Sequence, residues 1–212
     1  MTERDIIWPG NKRALVAILR GIRPSEVAAM TEMLIDEGIT SIEVPLNSPD
    51  PFQSIETAIA VAGDRALIGA GTVLTVEDVD RLSDIGGQLV VSPNTDPDVI
   101  RRSVTLGMVS MPGVFTPSEA LLAHKSGASA LKFFPASALG VSGISAIKAI
   151  LPEEAVVCAV GGVSDASFGD YFKIGVRAFG LGTGLYRPGD ALDAVRVRAR
   201  KTVEAYDRAS AD

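Results

Sequence analysis

The sequence has little of the chemistry that disulfides and metal sites require. Its 212 residues include one cysteine and one histidine. A single cysteine excludes an intramolecular disulfide, and Cys158 stands in the apolar run 155–160, which predicts a buried, inert thiol. His124 has no metal-ligand spacing around it, and no Walker loop, H-E-x-x-H or G-x-S-x-G motif occurs. We therefore expect neither a metal nor an organic cofactor.

Clusters of basic residues and long apolar runs are also absent. The chain carries 20 Lys and Arg against 26 Asp and Glu, a net charge of −6. Because nucleic acids and anionic membranes are bound through clustered Lys and Arg, we expect neither as a partner. No apolar stretch approaches the roughly 20 residues that cross a bilayer, and the start shows no secretion-signal pattern. A cytoplasmic location is expected.

What the sequence does have is a regular alternation of short apolar, β-branched runs with longer helical stretches, typical of βα units around a parallel sheet. Several of the helical stretches end in a glycine suited to a left-handed cap. Eight units in this length predict an α/β fold, one (β/α)₈ barrel domain over residues 1–212. A short lead-in helix is expected over 1–13 and a closing helix over 191–208. The eight predicted strands are 14–19, 41–45, 66–70, 88–92, 108–111, 130–134, 156–160 and 176–181.

Two charged residues lie inside predicted strands. Lys132 shares a strand face with Phe134 by the period-2 alternation. Keeping a buried lysine neutral at pH 7 lowers a pKa of about 10.4 by some three units and costs roughly 4 to 5 kcal/mol. A neutral, desolvated amine can attack a ketone and form an imine, so we predict Lys132 to be catalytic. The alternative is a structural ion pair with Glu43.

Glu43 stands near the C-terminal end of the second predicted strand. In barrels of this kind the chemistry gathers at the C-terminal strand ends, where Glu43 and Lys132 could face one cavity. Imine chemistry needs a group that moves protons, and a partly desolvated glutamate suits that task. We therefore predict Glu43 to be the acid/base residue.

Two glycine-rich segments, 160–164 (VGGVS) and 180–184 (GLGTG), follow the last two predicted strands. Backbone N–H groups at these strand ends often bind phosphate, which lets an acidic protein hold a phosphate ester without a basic patch. A purely steric need for glycine is the alternative.

Other strand ends supply substrate-binding candidates. Arg20 and Thr72 could hold a carboxylate through a charge-assisted bond and a hydroxyl bond, unless Arg20 is only a solvated surface residue. Asn47, Pro93 and Phe134 complete the predicted binding residues.

Six segments carry distinctive motifs: 16–22 (VAILRGI), 42–49 (IEVPLNSP), 68–74 (IGAGTVL), 91–94 (VSPN), 131–136 (LKFFPA) and 159–163 (AVGGV). In this order, over essentially the whole chain, they resemble the family of 2-keto-3-deoxy-6-phosphogluconate and 6-phosphogalactonate aldolases. The resemblance implies a class I aldolase in which Lys132 forms the Schiff base and Glu43 is the acid/base.

The same resemblance implies a role for Thr72 near the substrate carboxylate. It also implies phosphate contacts from Gly161, Gly162, Gly182 and Thr183, the last standing where serine is common.

The resemblance also bears on the substrate. Gluconate-type members usually carry an arginine four residues after the glutamate, whereas this chain has Asn47 there and Arg20 in its first motif. That combination resembles the 6-phosphogalactonate branch. It implies reversible cleavage of 2-dehydro-3-deoxy-6-phosphogalactonate to pyruvate and D-glyceraldehyde 3-phosphate, with the epimeric gluconate as the alternative substrate.

Two rival functions use the same phosphate site. A phosphosugar isomerase or epimerase would form no imine, and a non-catalytic sugar-phosphate-binding barrel would have no reason to bury a reactive amine. An apolar fraction of 47% makes a homo-oligomer plausible, and the resemblance implies a homotrimer.

Overall fold

A computed structural model describes residues 8–10 and 13–211, and nine parallel strands form one sheet at its centre. Each of the eight predicted strand segments contains at least part of an observed strand. The strands are β1 (Leu15–Ile18), β2 (Ser41–Pro45), β3 (Leu67–Gly71), β4 (Leu89–Val91), β5 (Val109–Met111), β6 (Gly113–Val114), β7 (Leu131–Phe133), β8 (Val157–Val160) and β9 (Ala178–Leu181).

The sheet closes on itself through β5 and β6. The strand order is β5-β4-β3-β2-β1-β9-β8-β7-β6, so β5 and β6 are its two ends. Only Pro112 separates them along the chain, and a proline cannot donate to the ladder, which splits one barrel strand into two pieces. Its carbonyl still accepts a hydrogen bond from the Lys132 N–H at 3.0 Å. Counted as one strand, they give the eight strands of the predicted (β/α)₈ barrel.

Helices follow the strands and form the outer layer. Polar caps start several of them: the side chains of Thr75, Asp96 and Thr116 accept backbone N–H groups of the first turn. The glycines that end the predicted helical stretches all have positive φ, between 70° and 97°. They are Gly38, Gly86, Gly107, Gly127 and Gly175. The helices are α1 (Pro24–Asp36), α2 (Pro51–Ala62), α3 (Val76–Asp84), α4 (Pro97–Thr105), α5 (Pro117–Lys125), α6 (Ala136–Lys148), α7 (Phe168–Lys173) and α8 (Leu192–Ala211).

Two apolar layers follow from the period-2 alternation of the strands. Leu131 and Phe133 belong to the large cluster between sheet and helices, whereas Ala130 belongs to a second cluster inside the barrel. Trp8 joins the inner cluster and its indole N–H donates to Ser41 Oγ at 3.1 Å. The alternation predicted around Lys132 is therefore confirmed.

The chain ends agree only in part with prediction. The lead-in helix expected over 1–13 falls mostly outside the described residues, and residues 8–10 form a bend and turn. The closing helix is confirmed as α8. Among the described helices, none combines the length and apolarity needed to cross a membrane.

Candidate active site

The two charged residues predicted to react line the same small cavity inside the barrel. Glu43 lies in the middle of β2 and is 3% exposed, and Lys132 lies in the middle of β7 and is 7% exposed. Every other residue that lines this cavity is apolar or small. These other residues are Val16, Ile18, Val91, Met111, Cys158, Val160 and Gly180.

Neither reactive side chain has a hydrogen-bond partner within the described part of the chain. Oε2 of Glu43 is buried without one. The Lys132 ammonium lies 5.1 Å from the centre of the Phe134 ring and forms no salt bridge with Glu43. The alternative reading of Lys132 as a structural ion-pair partner therefore has no direct contact to support it.

Burial moves both pKa values toward neutrality. Burial raises the pKa of Glu43 to about 7 against the opposing positive charges of Lys132 and Arg20. Burial lowers the pKa of Lys132 to about 8, and the negative charge of Glu43 opposes this shift. The pKa of Lys132 therefore lies somewhat above the value near 7 expected from the sequence. Both groups can consequently exchange protons near neutral pH, as an acid/base and an amine nucleophile must.

Arg20, Asn47 and Thr72 lie together at the rim of the site. Arg20 Nη1 donates to Asn47 Oδ1 at 2.5 Å, and the guanidinium reaches Thr72 Oγ1 at 3.5 Å. Thr72 has a φ of +57°, a left-handed conformation that a β-branched residue adopts only under strain, and such strain clusters at functional sites. The guanidinium keeps further N–H donors with which it can bind a carboxylate.

The glycine segments stand side by side at the ends of β8 and β9, because Val160 pairs with Gly180. Gly161 and Gly162 have φ values of +89° and +75°. The first turn of α6 packs on them: the Ser137 N–H donates to the Gly161 carbonyl at 3.0 Å. Gly182 and Thr183 follow β9 directly, and Thr183 is exposed. Backbone N–H groups at two adjacent strand ends suit a phosphate.

The two remaining predicted binding residues, Phe134 and Pro93, lie in different parts of the site. Phe134 is 39% exposed and lies between Lys132 and the glycines, since a Cβ on Gly161 would come within 3.2 Å of its ring. Pro93 lies beyond the end of β4, and its carbonyl oxygen packs against Gly113. Pro93 thus follows a strand end, as predicted, and its contact with substrate stays a prediction.

Sequence reasoning missed Gly71 and Ser137. Gly71 lies against the Glu43 carboxylate, and Ser137 packs against Gly162. A glycine inside a strand is a signal of close approach, and the pair Gly69 and Gly71 within one strand could have drawn attention to it. The described residues contain no cluster of three or more His, Cys, Asp or Glu able to hold a metal ion.

Known proteins resemble the chain over nearly its whole length. A family model described as KDPG and KHG aldolase matches residues 10–199. A probable 2-dehydro-3-deoxy-6-phosphogalactonate aldolase of Rhizobium meliloti (strain 1021) is 59% identical over 199 residues, 94% of either chain. The 2-dehydro-3-deoxy-6-phosphogalactonate aldolase of Escherichia coli (strain K12) is 46% identical, covering 93% of this chain and 97% of that one. A solved structure described as native KDPGal superposes with a TM-score of 0.92 at 46% identity, covering 93% and 96% of the two chains.

Proposed function

The chain belongs to the KDPG and KHG aldolase family of carbon–carbon lyases, and from that premise we propose that it cleaves 2-dehydro-3-deoxy-6-phosphogalactonate through a Schiff base on Lys132. The products are pyruvate and D-glyceraldehyde 3-phosphate, and the reaction is reversible. The observation that carries the proposal is the buried pair of Lys132 and Glu43, which line one apolar cavity. No side chain or backbone group of the described residues forms a hydrogen bond with Oε2 of Glu43.

The first step joins Lys132 to the substrate. The neutral amine attacks the C2 ketone, and the resulting carbinolamine loses water to give an iminium ion. A pKa of about 8 leaves roughly a tenth of the amine neutral at pH 7, far more than an ordinary lysine offers. The apolar walls of the cavity disfavour the charged ammonium and so favour the nucleophile.

Glu43 moves the protons of the later steps. It accepts the proton of the C4 hydroxyl while the C3–C4 bond breaks, and the bonding electrons move into the iminium to form an enamine. The aldehyde leaves, the enamine takes a proton at C3, and water releases pyruvate and the free amine. A carboxyl group with a pKa of about 7 can serve as base and as acid in this sequence.

The remaining residues hold the two ends of the substrate. Arg20 and Thr72 bind the C1 carboxylate at the rim, and Asn47 orients the guanidinium through its hydrogen bond. The backbone N–H groups around Gly161, Gly162, Gly182 and Thr183 bind the phosphate. Phe134 packs between the two ends, and Pro93 completes the binding site beyond the end of β4.

The choice of the galactonate epimer is supported by the two relatives named for that substrate and by Asn47 at the position where an arginine would favour the gluconate. The test is pyruvate release from both C4 epimers under identical conditions. We expect the larger kcat/KM for the galactonate compound. A larger value for the gluconate compound would reassign the substrate but keep the aldolase mechanism, and release from neither would refute the proposed function.

We further propose a homotrimer. Phe115 and two residues of α5, Leu121 and Leu122, are large apolar side chains left 41 to 43% exposed in the single chain. Apolar side chains exposed so close together are typical of a surface that another subunit covers. Sedimentation equilibrium that gives a monomer would contradict this.

A cytoplasmic location stays a prediction from the sequence.

A further inference from the structure

Gly71 lies so close to the Glu43 carboxyl group that a side chain there would displace that group. A Cβ built on Gly71 would stand 2.0 Å from Oε2, 2.4 Å from Cδ and 2.5 Å from Oε1 of Glu43. All three nearest atoms belong to that one carboxyl group. The strand register explains the contact: Glu43 on β2 pairs with Gly69 on β3, and its side chain reaches two positions further to cover Gly71.

The backbone at Gly71 does not itself require glycine. Its φ is outside the positive region that Gly161 and Gly162 occupy. An alanine could therefore adopt this backbone, and the three atoms nearest to its Cβ would all belong to the Glu43 carboxyl group. The glycine is thus explained by the space that the carboxyl group occupies.

This way of holding a carboxyl group has a chemical consequence. A hydrogen-bond donor in the same place would fix the group but would also stabilise its ionised form. The Cα of a glycine gives a surface to pack against and donates no strong hydrogen bond, which agrees with the unpartnered Oε2. The carboxyl group is oriented while its proton remains free to move.

We propose that Gly71 is a positioning residue for catalysis, which seats the Glu43 carboxyl group against β3 so that it faces the carbon atoms bound at Lys132. This inference rests on the proposed aldolase function. It assigns a role to a residue that acts through Glu43.

The first test is Gly71→Ala with Gly169→Ala as the matched control. The control adds the same methyl group on α7, where nothing lies within 4 Å of it. We expect Gly71→Ala to lower kcat by about 10²-fold, as misplacement of a reacting group does. KM should change little, because the carboxylate and phosphate contacts are elsewhere, and the pH at which kcat rises should move. Gly169→Ala should keep wild-type kcat. Wild-type kcat and pH profile in Gly71→Ala would overturn the proposal.

The second test repeats Gly71→Ala in a Glu43→Asp background, where the carboxyl group is withdrawn by one methylene. Exchange of the pyruvate C3 protons in D₂O measures the low activity of these variants. If the conflict is with Glu43, the alanine should cost less than about threefold there, since coupled residues are not additive. An equal loss in both backgrounds would overturn the proposal.

Folding failures are also decisive. If Gly71→Ala does not fold but the double variant does, shortening Glu43 has relieved the conflict and the proposal stands. If both fail to fold, another neighbour occupies the space and the proposal falls. Wild-type turnover and the pyruvate adduct on Lys132 are measured in the same series, so a failure of the aldolase function is distinguished from a failure of the Gly71 role.

Discussion

Glu37 and Glu43 are six positions apart and have opposite surroundings. Glu37 follows α1 and accepts hydrogen bonds from Arg200 at 2.8 and 3.0 Å and from Arg196 at 3.3 Å, both on α8. Glu43 lies inside the barrel with Oε2 unpartnered. The hydrogen bond from Arg200 lowers the pKa of Glu37, whereas burial raises the pKa of Glu43 to about 7.

The difference shows how one chain uses the same residue type for two purposes. On the outside, a glutamate is fully paired with arginines and joins two helices. Inside the barrel, a glutamate and a lysine are held on rigid strands with their hydrogen-bonding capacity unused. Burying such groups opposes folding, and their retention is explained by the chemistry they perform.

The contrast between the paired exterior glutamate and the unpaired interior residues is tested most strongly at Lys132. Lys132→Ala removes the amine that lines the cavity, so pyruvate release should fall by about 10⁴-fold or more, as happens when a nucleophile is deleted. Circular dichroism should show a folded protein, because a small side chain replaces a group whose burial is costly. A folded variant that still releases pyruvate at a comparable rate would contradict the assignment of the nucleophile.

Replacing the interior carboxyl group should have the next largest effect. Glu43→Gln keeps the shape of the side chain but cannot move protons, so kcat should fall by about 10²- to 10⁴-fold. Steady-state kinetics of pyruvate release measure it, with KM as an internal check on substrate binding. If kcat stays within a few-fold of wild type, proton transfer must be assigned to another group.

The pH dependence of cleavage separates the interior pair from ordinary side chains. The attacking amine must be neutral, so kcat/KM should rise by up to about tenfold per pH unit below pH 7 and level off near pH 8, the pKa of Lys132. An ordinary lysine would let it rise toward pH 10. In Glu43→Gln the plateau should begin at lower pH, because the negative charge of Glu43 raises the pKa of Lys132. A profile still rising above pH 9 would contradict this account.

Replacing the exterior glutamate should change stability alone. Glu37→Gln should lower the melting temperature by at most a few degrees at pH 7 and leave kcat unchanged, since both arginine partners are partly exposed and such ion pairs contribute little. Because the pKa of Glu37 is lowered in the folded state, its stabilisation is present at neutral pH and lost as the pH falls through the folded pKa. The difference between variant and wild type in thermal melts should therefore shrink at low pH.

Part of this site could be predicted from sequence for a simple reason. Lys132 and Glu43 are charged residues inside apolar runs, and strand alternation together with the geometry of a barrel puts both on the inner face near the C-terminal ends. The fold follows from the same periodicity, since eight apolar runs separated by helices with glycine caps fit one architecture.

Other features depend on contacts between strands, which local patterns do not contain. The hydrogen bond of Arg20 to Asn47 joins the ends of β1 and β2, and the packing of Glu43 on Gly71 depends on the register of β2 and β3. Pro112 divides one strand into two, and the predicted strand 108–111 stops before it, so β6 was not predicted. A strand-end position likewise does not fix which way a residue faces, so the binding role of Pro93 stays a prediction.

The most direct test of the central claim is borohydride reduction of the protein in the presence of saturating pyruvate, followed by peptide mass spectrometry. We predict one stable pyruvyl adduct, on Lys132, and its absence when pyruvate or borohydride is omitted. No adduct, or an adduct on another lysine, would contradict a Schiff-base mechanism at the interior pair.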